Sequence, residues 1–176
     1  MSTALRPQHA LALQTLAATL DDTLAEWLLA GSTARRIAGW DVEPDDIDVE
    51  VSPHGIEAAA DACDLTLRDD DIGSGHSLRA EGEISGVAID LTANLEVAGP
   101  GGHLGPDFPL QRTWSTSVEV GGRRIWLAPV EEGLARAMVT GDWAKVVALG
   151  TGAPADTPIR VPYLSLRLAS AARAAR

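Results

Sequence analysis

Six residues, Asp46 to Val51, constrain the fold of this chain more than any other stretch. They read Asp-Ile-Asp-Val-Glu-Val, with acid and apolar residues in strict alternation, the pattern of a half-buried strand. Ile47 and Val49 then point into a core while the Asp46 and Asp48 carboxylates project from the opposite face. Whatever covers the apolar face, the acidic face needs a counter-charge, because two carboxylates a few ångströms apart repel one another.

The flanking pattern predicts a mixed layer of strands and helices. Leu13, Leu16, Ala17 and Leu20 recur at helical spacing and mark an amphipathic helix over residues 7–19. A short apolar run, Glu26 to Ala30, reads as a buried strand that enters a short helix at Ser32 to Ala38. Ser52 as cap and Pro53 at the first helical position predict a helix to about Cys63. Leu65 to Arg68 reads as a strand, and Asp69 to Gly75 as a solvated loop without calcium-loop spacing. Two hairpins follow, Ser77 to Leu91 around Ser85-Gly86 and Ser115 to Leu127 around Gly121-Gly122. Between them the Gly and Pro density from Gly99 to Pro109 predicts a surface loop. After Pro129 three helices are expected, one opened by Glu131 and Glu132, one capped by Asp142 and one over residues 163–175. The hairpins exclude a purely parallel sheet, so the fold class is α/β or α+β, a mixed sheet flanked by helices.

At 176 residues the chain is expected to form one domain, with a core over residues 26–128 and a short helical C-terminal segment over 129–176. With 45% hydrophobic and 22% charged residues, disorder is excluded. No run approaches the ~18 apolar residues of a membrane span and no secretory signal is visible, so a cytoplasmic location is expected. The single cysteine, Cys63, reads as an inert half of no disulfide, in keeping with a reducing compartment. A net charge of −11 argues against duplex DNA as partner, so any anionic substrate needs a local site or a metal.

Such a site can be assembled from three places. Asp46 and Asp48 form half of a hard-oxygen site suited to Mg2+, and Asp90, between Ile89 and Leu91 on a later strand, is placed to reach it. Gly31 and Ser32 sit where a strand gives way to a helix, where free backbone N–H groups and a missing side chain favour a phosphate. Glu50 shares the parity of Asp48 and reads as solvated beyond the site.

In that order these residues resemble the DNA polymerase β-like nucleotidyltransferase superfamily, especially its small bacterial and archaeal members. The family pattern is an apolar residue, Gly and Gly or Ser, a gap, then acid-apolar-acid-apolar, and later a third acid between apolar residues; here it reads Ala30-Gly31-Ser32, Asp46-Ile47-Asp48-Val49 and Ile89-Asp90-Leu91. The likeness spans residues 26–91, and more weakly 125–149, where Pro129, Glu131, Glu132 and Lys145 look like the C-terminal segment of some relatives, though Val146 stands where many have Asp.

The resemblance implies a nucleotidyltransferase-like sheet and an Mg2+-dependent enzyme that moves a nucleoside monophosphate from a triphosphate such as ATP to an acceptor hydroxyl. Asp46, Asp48 and Asp90 are then both catalytic residues and metal ligands, with two ions. Nucleotide binding falls to Gly31, Ser32, Arg36 and Lys145. Of the neighbouring pair Arg35 and Arg36, one is expected to reach the triphosphate, and surface solvation is the alternative for either. Lys145, the lone lysine, is a point charge or a feature of helix amphipathicity. His76 and Arg79, near the Asp90 hairpin, are candidates to border the site. The acceptor is a small molecule, a tRNA end or a protein side chain. The alternative is a non-catalytic nucleotide- or partner-binding protein of the same fold, such as a toxin–antitoxin component with an antitoxin or helical partner chain.

Overall fold

A computed structural model describes residues 4–71, 73, 75–155 and 157–174; Ala175 and Arg176, expected in the last helix, lie outside them. In chain order the elements are α1 (Pro7–Asp21), β1 (Trp27–Leu29), α2 (Gly31–Ile37), β2 (Asp46–Val51), α3 (Ile56–Ala62), β3 (Leu67–Asp71), β4 (Gly75–Ile84) and β5 (Val87–Gly99). They continue with β6 (Gly102–Leu104), α4 (Phe108–Trp114), β7 (Thr116–Val120), β8 (Arg123–Leu127), α5 (Val130–Thr140), α6 (Trp143–Thr151) and α7 (Val161–Ala174). The strands form one mixed sheet in the order β3-β4-β5-β2-β1-β8-β7, with β6 added beside β5. β2 runs parallel to β5 and β1 parallel to β8, while the other pairs are antiparallel. Among the described residues no helix is long and apolar enough to cross a membrane.

The alternation of β2 decides how the layers are arranged. Ile47, Val49 and Val51 are buried with Ile89, Leu91 and Ala80 beneath α1 and α3, which contribute Leu13, Leu16, Leu20, Ile56 and Ala59. Smaller apolar clusters seat the C-terminal helices: Val97 and Leu104 pack with Ala135, Val139 and Ala171, and Trp40 with Leu134 and Leu149. The acidic face of β2 is left looking into the space between sheet and helices.

Both hairpins close as the sequence predicts, through paired positive-φ residues: Ser85 and Gly86 (φ 53° and 75°), Gly121 and Gly122 (φ 58° and 79°). Gln8 of α1 also donates to the Ser85 and Gly86 carbonyls at 3.0 and 3.1 Å, fastening the first turn to the helix layer. Gly141 ends α5 in the left-handed region, and Asp142 caps α6 by accepting from the Lys145 N–H at 3.0 Å.

Three expectations are corrected. Ser52 and Pro53 open a turn, not a helix: Gly55 donates back to the Ser52 carbonyl, and α3 begins at Ile56. Asp69, Asp70 and Asp71 are not loop but edge strand β3, registered against Leu78, Ser77 and His76. Side chains across the ladder compensate their poor strand propensity, with the His76 ring 3.0 Å from Asp69 and the Arg79 guanidinium 3.3 Å from Asp70. The stretch 99–109 is not a surface loop, since β6 returns along β5 and buries Leu104 before α4 starts. Its glycines serve close packing: a Cβ on Gly99 would lie 2.4 Å from the Val139 carbonyl oxygen of α5.

Candidate active site

The start of α2 is bound directly to the acidic strand. The Ala30 N–H donates to the Asp48 carbonyl at 2.8 Å and the Thr33 hydroxyl to the Asp46 carbonyl at 2.6 Å. Between them Gly31 takes φ +61°, and a Cβ there would fall 1.7 Å from Asp48 Oδ2. The Asp48 carboxylate thus rests against the backbone of Gly31, and only glycine leaves room for it. Gly31→Ala is expected to lower stability by about 1–3 kcal/mol, combining the left-handed backbone with displacement of Asp48. Chemical denaturation checks this. Adding Asp48→Ala should recover part of the loss, and a single variant as stable as the parent would refute the contact.

Asp48 and Asp90 are direct neighbours across the parallel β2·β5 ladder, on the same face. Burial pushes the Asp48 carboxyl up to about 6, and the nearby charges of Asp46 and Asp90 add to the rise against the pull of Lys145 and Arg35. No donor from any described residue touches the Asp46 or Asp48 carboxylate. Asp90 is different: Arg79 Nε and Nη2 hold it at 2.6 to 3.0 Å, and the Thr92 hydroxyl donates to it at 3.2 Å. Hydrogen bonding to Asp90 outweighs burial and raises the Arg79 guanidinium above its ordinary value.

These residues open on a cleft of about 590 Å3 between the acidic sheet face and helices α2, α5 and α6. Of the residues expected at a site, Gly31, Asp48, Asp90 and Lys145 line it, and so does Arg35. Ser32, Arg36 and Asp46 are not part of its wall; Arg36 instead reaches Asp41 at 3.6 Å, and Ala30 holds the cap position of α2. Arg35 and Arg36 fall in the last turn of this short helix.

Sequence reasoning missed the far wall. Glu50 is not solvated: Arg136 of α5 grips both its oxygens at 2.8 and 2.9 Å. Arg136 also meets Glu132 at 3.2 Å, which in turn accepts from Arg167 and from the Tyr163 hydroxyl, both at 2.7 Å. Glu131, equally buried, is held by Arg160. Burial alone would push the Glu132 carboxyl up, but Arg136, Arg167 and Tyr163 outweigh it and hold it below the usual range. The signal for Glu50 was its shared parity with Asp48; its partner, 86 residues away, left none.

The donor set suits a hard divalent cation, which needs only one or two carboxylates beside waters and substrate phosphates. Burial first and the repulsion of Asp46 and Asp90 second raise Asp48, and such a cation would offset both. Among the described residues, however, no three His, Cys, Asp or Glu side chains are gathered around one point. Asp46 and Asp48 would hold the ion, with Asp90 engaged elsewhere.

No protein-family model matches the chain, and no curated protein matches its sequence. Solved structures do. A Thermotoga maritima protein, TM1012, provisionally described as a nucleotidyltransferase, superposes with a TM-score of 0.70 at 20% identity, over 83% of this chain and 92% of that one. The antibiotic-resistance factor ANT(2")-Ia in complex with adenylyl-2"-tobramycin (TM-score 0.48, 15% identity, 94% and 98% coverage) is a more distant match. So is the lincosamide antibiotic adenylyltransferase LnuA (TM-score 0.47, 11% identity, 85% and 99%). At these identities the likeness is one of architecture, and the chain has a nucleotidyltransferase-type fold: a mixed sheet of eight strands flanked by seven helices among the described residues.

Proposed function

We propose that the protein is a nucleotidyltransferase that moves a nucleoside monophosphate from a nucleoside triphosphate, with ATP the first candidate, to an acceptor hydroxyl. The observation that carries this reading is the register of β2 and β5, which sets Asp48 directly beside Asp90 at the floor of a cleft also lined by Gly31, Arg35 and Lys145. The acceptor oxygen bonds to the α-phosphorus as the bond to the bridging oxygen breaks, and pyrophosphate leaves with that oxygen. Asp46 and Asp48 would hold Mg2+, with two ions required and Asp90 as a further ligand on the acceptor's side, and the bound metal would supply charge neutralisation for the triphosphate and the reacting oxygens. The backbone at Gly31 and Ser32 receives the distal phosphates, Lys145 and an arginine of α2 supply positive charge, and Asp90 takes the acceptor's proton. Catalysis is then mostly positioning and charge compensation.

The test is a transfer screen: labelled triphosphates with cellular RNA, protein and small alcohols, run with the parent chain and Asp48→Asn. Label that appears on one acceptor class with the parent alone supports the reading; none with any acceptor refutes it. Asp90→Asn separates binding from chemistry. It should bind the Mg2+ complex of the triphosphate with near-parent affinity by calorimetry, while the single-turnover rate falls roughly a hundredfold, the scale of a lost general base. Equal losses would put Asp90 in substrate binding.

A second reading, a nucleotide- or partner-binding protein without turnover, draws on the hold that Arg79 has on Asp90, which neutralises the third acid without any metal. Triphosphate binding with no transfer to any acceptor in the same screen would favour it.

A further inference from the structure

Arg79 grips Asp90 more completely than a simple ion pair requires. Its Nε stands 2.9 and 3.0 Å from the two carboxylate oxygens and its Nη2 2.6 Å from Oδ2, and the Thr92 hydroxyl lies 3.2 Å from Oδ1. A carboxylate offers roughly four lone-pair sites, and three donors, with the Arg79 Nε–H shared between both oxygens, take up most of them. Asp48, its neighbour across the ladder, has no donor from the described residues at all. One acid of the pair is held on both oxygens and the other is open.

The same guanidinium has a second set of partners toward the sheet edge. Its Nη1 lies 3.3 Å from Asp70 on β3 and its Nη2 2.8 Å from Glu81 on β4. Arg79 can therefore give up Asp90 without losing every counter-charge, which keeps the exchange inexpensive.

The geometry points to a competition: Arg79 holds Asp90 in the metal-free protein, and Asp90 becomes a ligand for a divalent cation only as Arg79 shifts onto Asp70 and Glu81. Arg79 is thus a positioning residue that sets how tightly the third carboxylate engages metal. This inference rests on the reading of Asp46, Asp48 and Asp90 as a metal site.

Mn2+ binding to the whole chain, read by the electron paramagnetic resonance of the free ion, tests it without any catalytic assay. Arg79→Lys keeps the charge but loses the planar fork, so it should bind Mn2+ roughly tenfold more tightly than the parent, and Arg79→Gln at least as tightly. Arg68→Gln removes a neighbouring cation that pairs with Glu81 and does not touch Asp90, so it should stay within about twofold of the parent. Combined with Asp90→Asn, the effect of Arg79→Lys should vanish, since the coupling runs through that carboxylate. An Arg79→Lys variant that binds Mn2+ like the parent overturns the competition, as does a gain that persists in the Asp90→Asn background. Asp48→Asn distinguishes the underlying reading: if it leaves Mn2+ affinity unchanged, or if neither the parent nor the Arg79 variants bind Mn2+, the metal site itself is wrong and the competition falls with it.

Discussion

Asp48→Asn is expected to abolish transfer, by roughly a thousandfold or more, and at the same time to make the metal-free protein more stable at neutral pH. On the proposed function, the first effect follows from removing a metal-binding carboxylate that its neighbours on the sheet do not replace, since Glu50 is held by Arg136 and Asp90 by Arg79. The second follows from the raised carboxyl. An acid that titrates at about 6 in the folded chain, against 3.8 as its ordinary value, keeps its proton longer when folded than when unfolded. Between those values the unfolded chain binds fewer protons, so stability falls as pH rises, and above about 6 the whole penalty applies. A rise of this size corresponds to about 2–3 kcal/mol. Urea denaturation in EDTA should therefore show Asp48→Asn ahead of the parent at pH 7 and level with it near pH 4. Added Mg2+ should reverse the order, stabilising the parent alone. A variant that is less stable at pH 7 in EDTA would contradict the electrostatic account of the site.

Several elements were legible because their cause is local. The alternation of β2 required a strand with one acidic face, and the turn pairs at Ser85-Gly86 and Gly121-Gly122 required hairpins. What failed was local chemistry overruled by tertiary context. Gly99, Gly101 and Gly102 read as loop residues, yet each lies where a Cβ would meet backbone of α5 or α7 at under 3 Å. The Asp107-Phe108-Pro109 start of α4 did carry a readable signal, a capping aspartate followed by an early proline, which the surrounding glycines masked. At the site, acids with strand parity were visible from spacing, whereas their counter-ions were not. Arg136 meets Glu50 across 86 residues and Arg79 sits one strand over from Asp90, and neither distance leaves a periodic trace.

The far wall of the cleft depends on one buried carboxylate, and Glu132→Gln is expected to be the most destabilising conservative change in the molecule. Glu132 has 1% of its side chain exposed and accepts from Arg167, itself 3% exposed, from Tyr163 and, at 3.2 Å, from Arg136. Removing one partner of a buried pair leaves the other charge uncompensated, at a cost of about 3–5 kcal/mol. In a domain of this size that lowers Tm by roughly 10 °C. Replacing three members together, Glu132→Leu, Arg167→Met and Tyr163→Phe, removes the stranded charge and the orphaned hydroxyl and should recover much of the loss, which distinguishes an electrostatic cost from a cavity. The pH dependence runs opposite to that of Asp48. The folded Glu132 carboxyl lies below 4.5, so its contribution is complete above that value and drains away as pH falls through the folded pKa. Parent and Glu132→Gln should therefore converge in acid from a parent lead, whereas parent and Asp48→Asn converge from a parent deficit. Thermal scans of all three proteins in EDTA from pH 7 down to about pH 2 separate the two carboxylates: one is destabilised by its site and has no donor from the described residues, the other has its cations already in place.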